Sequence, residues 1–243
     1  MGEIRLRAHR LSRSFRGQTV VDDVNLAVPA GRVNALVGLN GAGKTTLLRL
    51  LLAMLRPDGG TAYIDGHDVK DADKGVWRQV GHLIEHPFVY PELDAQTNLA
   101  VAAKLRGVPR AAIPGFVDES MSLWVIERYA DRRARVLSAG NLWRLGLAAA
   151  LIHRPEIIVL DEPTNALDPA GIILLREYLL RRAGSGAAVL VSSHHLDEVA
   201  RVADRITVIN RGRAIGTLDP GTAGIERAFF ELVHADDEQE ARP

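Results

Sequence analysis

The most chemically informative stretch of the chain has the glycine spacing of a phosphate-binding loop. From Gly38 to Thr45 the sequence matches G-x-x-x-x-G-K-T, with an apolar run before it and a helical pattern after it. Glycines let successive backbone N–H groups point at one anion, and the N-terminus of the following helix adds about half a positive charge. Lys44 and the Thr45 hydroxyl can serve the terminal phosphates and a Mg²⁺ ion, so the pattern predicts a strand, a nucleotide-binding loop and a helix. The candidate nucleotide contacts are Gly38, Asn40, Gly41, Ala42, Gly43, Lys44, Thr45 and Thr46.

Acidic and imidazole side chains follow two other apolar runs. Asp161 and Glu162 come after the aliphatic run 157–160, and His194 comes at the end of a second apolar run. Because ligands bind at the carboxyl edge of open α/β sheets, these side chains are expected beside the phosphate loop. One carboxylate can hold Mg²⁺ while its neighbour orients or deprotonates an attacking water. Solvated acids and a structural histidine are the alternatives, and the adjacent His195 leaves open which imidazole faces the ligand.

Two further segments have residues that could contact a nucleotide. The segment Ser138-Ala139-Gly140-Asn141 opens a predicted helix, with Ser138 or Asn141 as its N-cap, and is a candidate phosphate contact. It lies about a hundred residues beyond the phosphate loop, so it need not reach the nucleotide of its own chain. Phe15 lies at a predicted turn, where it either packs against the protein or stacks on an adenine ring.

Composition limits the kinds of partner that the protein can have. The 243 residues carry 30 basic and 30 acidic side chains, and zero net charge offers no general attraction for nucleic acid or an anionic membrane. There is no cysteine, which excludes disulfides and thiolate metal sites. The first residues lack an apolar signal core, and no run reaches about 18 uninterrupted apolar residues. We expect a soluble, intracellular protein whose membrane role, if any, comes through a partner.

Strand and helix patterns alternate in the manner of an α/β fold with a parallel core sheet. Residues 3–11 and 19–28 predict an antiparallel N-terminal ribbon. Residues 92–146 predict a helical subdomain, with Pro109 and Pro114 dividing its helices.

The predicted organisation is one main domain followed by a short C-terminal extension. The alternating elements end near residue 220, so the main domain is assigned to residues 1–220. Residues 221–243 are expected to form a C-terminal helix and an acidic tail, which is poor in apolar residues and frays from Ala235 onwards.

In order and spacing, six motifs together resemble the nucleotide-binding subunit of ABC transporters. They are Phe15, the loop 38–46, Leu137-Ser-Ala-Gly-Asn141, the run 157–162, Asn165-Ala-Leu-Asp168 and Ser192-Ser-His194. The resemblance covers residues 3 to about 220 and implies a P-loop NTPase fold of ABC type. It also implies a head-to-tail dimer, of like or unlike subunits, with two ATP molecules at the interface. Each ATP would contact the phosphate loop of one subunit and the Ser138–Asn141 segment of the other.

The same resemblance implies a role for individual side chains. Phe15 matches the adenine-stacking position, Asp161 the Mg²⁺ carboxylate, Glu162 the general base, His194 the γ-phosphate switch and Asp168 the loop that communicates across the dimer. Lys44 together with Mg²⁺ would stabilise the charge that develops on the γ-phosphate during attack by water.

The sequence departs from the family pattern at two places. Glu85 stands where most members have glutamine, and a carboxylate only accepts hydrogen bonds and adds negative charge beside Mg²⁺. We expect Glu85 to keep the metal contact, and glutamate here is similar to bacitracin-type and lantibiotic-immunity exporters. Ala139 and Asn141 replace the usual glycine and glutamine; if position 139 needed a positive φ, alanine would cost about 1 kcal/mol or more.

The function that the resemblance implies is ATP binding and hydrolysis for an ABC transporter, expected to be an exporter of an antibiotic or peptide. Its partners would be membrane-spanning permease subunits on separate chains, which hold the protein at the inner face of the cell membrane, and a second ATP-binding subunit. A soluble ABC-type ATPase of DNA repair or translation is the alternative, although the long coiled coil or tandem cassette usual for such proteins is absent from the sequence. A small-molecule phosphotransferase explains neither the Ser138–Asn141 segment nor His194.

Overall fold

The computed structural model describes residues 3–240, which form two β-sheets with helices packed around them. The strands are β1 Ile4–Phe15, β2 Gln18–Pro29, β3 Val33–Val37, β4 Gly59–Ile64, β5 His67–Asp68, β6 Val80–Leu83, β7 Ile157–Asp161, β8 Ala188–Ser193, β9 Arg205–Asn210 and β10 Arg213–Leu218. The α-helices are α1 Lys44–Leu51, α2 Lys74–Arg78, α3 Ala95–Leu105, α4 Ile113–Leu123, α5 Ala139–Leu151, α6 Pro169–Gly184, α7 Leu196–Ala200 and α8 Ile225–Glu240. Within residues 3–240, none of the helices has both the length and the hydrophobicity that crossing a bilayer requires.

The larger sheet is mainly parallel and has the strand order β10-β9-β3-β8-β7-β6. Strands β3, β7 and β8 are buried along their whole length, as their continuous apolar sequences predict for central strands covered on both faces. Since β3, β6, β7, β8 and β9 run in the same direction, their carboxyl ends meet at one edge. The parallel core sheet that the sequence predicts is therefore confirmed.

The smaller sheet is antiparallel and contains the predicted N-terminal ribbon. Strands β1 and β2 are connected by a two-residue turn in which Arg16 and Gly17 have φ values of +51° and +83°. Such a turn matches the twist of the strands that it joins. The ribbon covers α1, whose Leu47, Leu48 and Leu51 share one apolar cluster with the inward-facing residues of β1 and β2.

The helical subdomain consists of α3, α4, two 3₁₀ turns and the first part of α5. Its core surrounds Trp124, which is 1% exposed and shares an apolar cluster with Leu99 and Leu145. Pro109 lies between α3 and α4 as predicted, but Pro114 lies in the first turn of α4 and does not divide two helices. Proline is tolerated there because the first helical N–H groups have no partner within the helix.

The C-terminal segment contains the expected helix, which extends further than the sequence indicates. Helix α8 continues to Glu240, so residues 235–240 are helical where fraying was expected, and residues 241–243 lie outside the described range. The reason is that the acidic residues have specific partners: Asp236 and Asp237 accept hydrogen bonds from Asn210 at the end of β9. A charged, apolar-poor sequence therefore need not fray when its charges are paired with the body of the domain.

Candidate nucleotide-binding and catalytic site

The phosphate loop connects β3 to α1 and has the backbone conformation that its glycines allow. Gly41 and Gly43 have φ values of +82° and +101°, which residues with a Cβ rarely adopt. At Gly38 there is no room for a side chain, because an added Cβ would lie 2.2 Å from the Ile209 carbonyl oxygen. Asn40 is exposed at the tip of the loop, while Ala42 is buried.

The N-terminus of α1 is left without a side-chain cap. Helices α2, α3, α5 and α6 each begin with a side chain that accepts hydrogen bonds from first-turn amides: Asp73, Asp94, Ser138 and Asp168. The N-cap residue of α1 is Gly43, which has no side chain, and the first turn of the helix contains no acidic residue. The backbone N–H groups of residues such as Thr45 and Thr46 therefore remain available to an anionic ligand, and the positive end of the helix dipole favours one.

Lys44 turns its ammonium back over the loop. Its Nζ donates a hydrogen bond to the Gly38 carbonyl oxygen at 2.7 Å and lies 3.4 Å from Oε1 of Glu162. The residue is only 6% exposed. A cation held at this position can pass from the loop carbonyl to the phosphate of a bound nucleotide without a large movement of the backbone.

Asp161 connects the phosphate loop to β8. Its Oδ2 accepts a hydrogen bond from the Thr45 hydroxyl at 2.8 Å, and its Oδ1 accepts one from the Ser192 hydroxyl at 2.5 Å. Asp161 and Ser192 are register partners of β7 and β8, which explains the second contact. The first brings together two residues that are 116 positions apart.

The oxygen donors at this point fit a Mg²⁺ ion. A hydroxyl and a carboxylate are hard ligands of the kind that Mg²⁺ prefers, and the ion usually takes its remaining ligands from water and substrate phosphates. Within residues 3–240 there is no group of three histidine, cysteine or acidic side chains that could hold a metal alone. The site is thus suited to a metal that arrives with a nucleotide. Of the three expected protein ligands, Thr45 and Asp161 lie in contact with each other, and the metal contact of Glu85 stays a prediction.

Glu162 and His194 form a second pair beside the first. Nδ1 of His194 lies 2.8 Å from Oε2 of Glu162, and the His194 backbone N–H donates to the same oxygen at 3.3 Å. Glu162 has a φ of +46°, its N–H is bonded to Ser192, and its carboxylate has different partners from that of Asp161. His195 serves as the N-cap residue of α7, and its backbone N–H bonds to the Ser193 hydroxyl. Of the two candidate imidazoles, His194 is therefore the one that faces Glu162.

Glu85 has a partner that the sequence did not indicate. It follows β6 with a φ of +61°, and its carboxylate forms an ion pair with Arg49, which lies one turn after Thr45 on α1. Among the described residues it makes no hydrogen bond to Thr45 or Asp161. The negative charge that distinguishes this chain from glutamine-containing members is thus balanced within the protein.

The Ser138–Asn141 segment forms the start of α5. Ser138 is the N-cap, and its hydroxyl accepts hydrogen bonds from the Asn141 backbone N–H at 3.4 Å and the Asn141 Nδ2 at 2.8 Å. Asn141 Nδ2 also donates to the Tyr129 hydroxyl at 2.9 Å. Ala139 is the first helical residue and is not among the residues with positive φ, so the strain considered for alanine is absent. Gly140 faces the Ala166 carbonyl oxygen, which would lie 3.2 Å from an added Cβ.

The Asp168 carboxylate has hydrogen-bond partners within its own chain. It is the N-cap of α6, and its Oδ1 also accepts a hydrogen bond from Arg144 of α5 at 2.5 Å. Arg144 and the Gly171 backbone N–H together hold the pKa of the Asp168 carboxyl below its usual value. The Trp143 indole of α5 also donates a hydrogen bond to the Pro163 carbonyl oxygen at 2.8 Å. This bond and the Arg144–Asp168 contact together hold α5 against the segment between β7 and α6.

Phe15 ends β1 at the ribbon turn. Its side chain is 39% exposed, and the Arg13 guanidinium lies 4.8 Å from the ring centroid. An aromatic ring that is exposed at the edge of a nucleotide-binding domain is available for stacking on a base.

Comparison with known proteins places these features in a family. The family model described as "ABC transporter" matches residues 21–165. The bacitracin transport ATP-binding protein BcrA of Enterococcus faecalis is 35% identical over 86% of this chain and 68% of its own length. The lantibiotic transport ATP-binding protein SrtF of Streptococcus pyogenes is 35% identical over 94% of this chain and 97% of its own.

Solved structures share the whole architecture. An ATP-binding subunit of an ABC transporter superposes with a TM-score of 0.87 at 27% identity, covering 94% of this chain and 99% of that one. A dimeric ATP-binding cassette in a post-hydrolysis state with ADP and Pi has the same fold, with a TM-score of 0.79 at 22% identity over 90% of this chain and all of that one. The chain therefore belongs to the ABC transporter family, as an ATP-binding subunit that hydrolyses ATP.

Proposed function

We propose that this ATPase drives an ABC exporter of an antibiotic or peptide. The relatives named for bacitracin and lantibiotic transport support this assignment. Glu85, which the sequence has in place of the usual glutamine, is in keeping with the similarity to that group. The alternative of a soluble ATPase in DNA repair or translation is not favoured, because these relatives are transport proteins.

The observation that carries the catalytic part of the proposal is the uncapped N-terminus of α1 beside two carboxylates with different partners. We assign the phosphates to the amides of the loop and to Lys44, and Mg²⁺ to Thr45 and Asp161. Glu162 would accept the proton of the attacking water, and His194 would position Glu162 and sense the γ-phosphate. Asp161 lies against the Thr45 hydroxyl, a second hard oxygen donor, and is therefore assigned to the metal. Glu162 is paired with His194 instead and is assigned to the attacking water.

We also propose that two subunits, identical or different, close around two ATP molecules. The Ser138–Asn141 segment begins a helix of the helical subdomain and would contact the nucleotide of the partner subunit. Glutamine is replaced by Asn141, whose side chain is held by Ser138 and Tyr129, so the shorter amide is preorganised at the helix N-terminus. Asp168, fixed by Arg144, would transmit closure between the two sites.

A groove beside Glu85 is our candidate surface for the membrane-spanning partner. Its lining includes exposed apolar side chains, among them Phe88, which is 81% exposed, Leu105, which is 68% exposed, and Met54, which is 45% exposed. Monomeric proteins seldom expose large apolar side chains as a group. Docking of permease chains here would hold the protein at the inner face of the cell membrane.

Deletion of the gene in its own host tests the transport assignment. We expect deletion to lower the inhibitory concentration of bacitracin, of a lantibiotic or of another peptide antibiotic. Wild-type protein should restore resistance, whereas Glu162→Gln and Phe88→Ser should not, although Phe88→Ser should still hydrolyse ATP. Unchanged sensitivity to every such compound after deletion would contradict the proposed cargo class, while loss of ATP hydrolysis in Phe88→Ser would contradict the docking role.

A further inference from the structure

The turn between β9 and β10, residues 210–213, lies directly against the phosphate loop. Strands β3 and β9 are parallel neighbours, so the turn after β9 leaves the sheet beside the loop that follows β3. The Gly212 N–H donates a hydrogen bond to the Ala42 carbonyl at 2.9 Å. On its other side, the Gly212 carbonyl accepts one from the Asp22 N–H at 2.9 Å. The turn therefore joins the phosphate loop to β2 through backbone hydrogen bonds.

These three segments approach one another so closely that only glycine fits between them. A Cβ on Gly43 would lie 2.4 Å from the Val20 carbonyl oxygen and 3.3 Å from the Gly212 Cα. A Cβ on Gly212 would also lie 2.4 Å from the Val20 oxygen. Backbone atoms in such contact cannot give way as a flexible side chain can, so a displacement of the turn displaces the phosphate loop.

Helix α8 holds the other side of this turn through two adjacent carboxylates. Asn210 is 7% exposed, and its Nδ2 donates to Asp236 Oδ2 at 2.9 Å and to Asp237 Oδ1 at 3.0 Å. Arg213 lies 3.1 Å from Asp236, and Arg211 lies 3.2 Å from Asp237. The two carboxylates thus contact three of the four residues of the turn.

The position of these carboxylates is fixed by the packing of α8. Ile225, Phe229 and Val233 follow one another at four-residue intervals and are buried in a cluster with residues of β3 and β9. Residues three and four positions further lie on the same face of a helix, which directs the next turn of α8 towards residues 210–213. The Asp236 side chain is only 13% exposed, so its ion pair is less screened than a surface pair.

We propose that Asp236 and Asp237 are positioning residues for nucleotide binding. Through the turn 210–213 they hold the phosphate loop in the conformation that accepts a triphosphate, so the C-terminal helix controls the affinity of the site without touching the ligand. The inference rests on the ATP binding established above for the family.

The double variant Asp236→Asn, Asp237→Asn tests this role in the full-length protein. We expect its dissociation constant for a fluorescent ATP analogue, measured with EDTA to exclude metal effects, to rise at least about fivefold over wild type. Amide hydrogen exchange in a peptide covering residues 38–45 should become faster, because the loop loses its support. A matched control is Glu231→Gln, Glu238→Gln, since these acids also lie on α8 but pair with Arg227 and His234 of the same helix.

The control variant should keep wild-type affinity and exchange. A folded double variant with the same affinity and the same loop exchange as the control would overturn the proposal. If the double variant does not fold, the single variant Asp237→Asn, at a side chain that is 41% exposed, is measured in the same way and must show both changes in the same direction. Failure of the wild type and the control to bind nucleotide would instead contradict ATP binding by this protein. The experiment thus distinguishes a failure of ATP binding from a failure of the positioning role of Asp236 and Asp237.

Discussion

Two half-buried histidines, one on β6 and one just after α5, should make the stability of the protein depend on pH. His82 lies on β6, and His153 follows α5 with its Nε2 3.3 Å from the Val80 carbonyl oxygen. The Nδ1 atoms of both residues are buried, and neither has a hydrogen-bond partner among the described residues. Burial, with the nearby charge of Arg106, lowers the pKa of each imidazole from 6.5 to about 4.

The direction and size of the effect follow from proton linkage. In the unfolded chain each imidazole binds a proton below about pH 6.5, whereas in the folded protein it stays neutral until about pH 4. The unfolded state therefore binds more protons within this window, and the free energy of unfolding falls as the pH falls. A pKa difference of this size is worth up to about 3 kcal/mol for each histidine, of which about 2 kcal/mol is lost by about pH 5.

Urea unfolding of the nucleotide-free protein near neutral pH and about pH 5 measures this loss. The variant His82→Gln, His153→Gln should be less sensitive to acid over this range by about 4 kcal/mol, because it lacks both groups. His67→Gln is the matched control, since His67 is exposed. Carboxylates such as Asp94, whose pKa is lowered by hydrogen bonds from Thr97, lose their contribution only at lower pH.

The reasoning is refuted if the double variant and the wild type lose equal stability between these two pH values. Equal loss would mean that the imidazoles are protonated in the folded protein as readily as in the unfolded chain. A loss confined to values below about pH 4 would assign acid sensitivity to the carboxylates instead.

Three further substitutions test the phosphate loop and the α5–α6 contact. Lys44→Ala should remove most ATP affinity in filter binding while circular dichroism stays unchanged, because the ammonium serves the ligand more than the fold. Gly43→Ala should lower the midpoint of urea unfolding clearly more than Gly41→Ala. Alanine with a positive φ costs about 1 kcal/mol at either position, but only at Gly43 would the new Cβ also meet backbone atoms. Equal midpoints for the two variants would contradict the packing described. Asp168→Asn should reduce the free energy of unfolding by about 0.5 kcal/mol at neutral pH, since asparagine caps α6 equally well but lacks the charge that faces Arg144 and the helix N-terminus. This difference should vanish when the wild-type carboxyl is protonated, because protonation removes the same charge.

Local patterns predicted most of the core fold because their physical signals are contained in short segments. The glycine spacing after Val37 predicts a loop between strand and helix, and the apolar runs of β7 and β8 predict buried strands whose ends converge. Each of these conclusions depends on fewer than about ten consecutive residues.

Features that depend on distant partners could not be predicted in the same way. The ion pair of Glu85 with Arg49 and the role of Ser192 as a partner of Asp161 arise from the arrangement of strands, not from local sequence. The two adjacent serines that end β8 give only a weak signal for Ser192, since the sequence does not show which of them faces Asp161. The contacts that hold residues 235–237 could not be predicted for the same reason, because Asn210 is 26 residues from its partner Asp236.

The measurement that tests the central claim most directly is ATP-dependent association of the Glu162→Gln variant. With ATP and Mg²⁺, sedimentation should show a stable dimer that contains two nucleotides and releases no phosphate, because Glu162 no longer takes a proton from the attacking water. Lys44→Ala under the same conditions should stay monomeric. Phosphate release from Glu162→Gln at the wild-type rate would contradict its role as the base, and a variant that binds ATP but never associates would contradict the shared site.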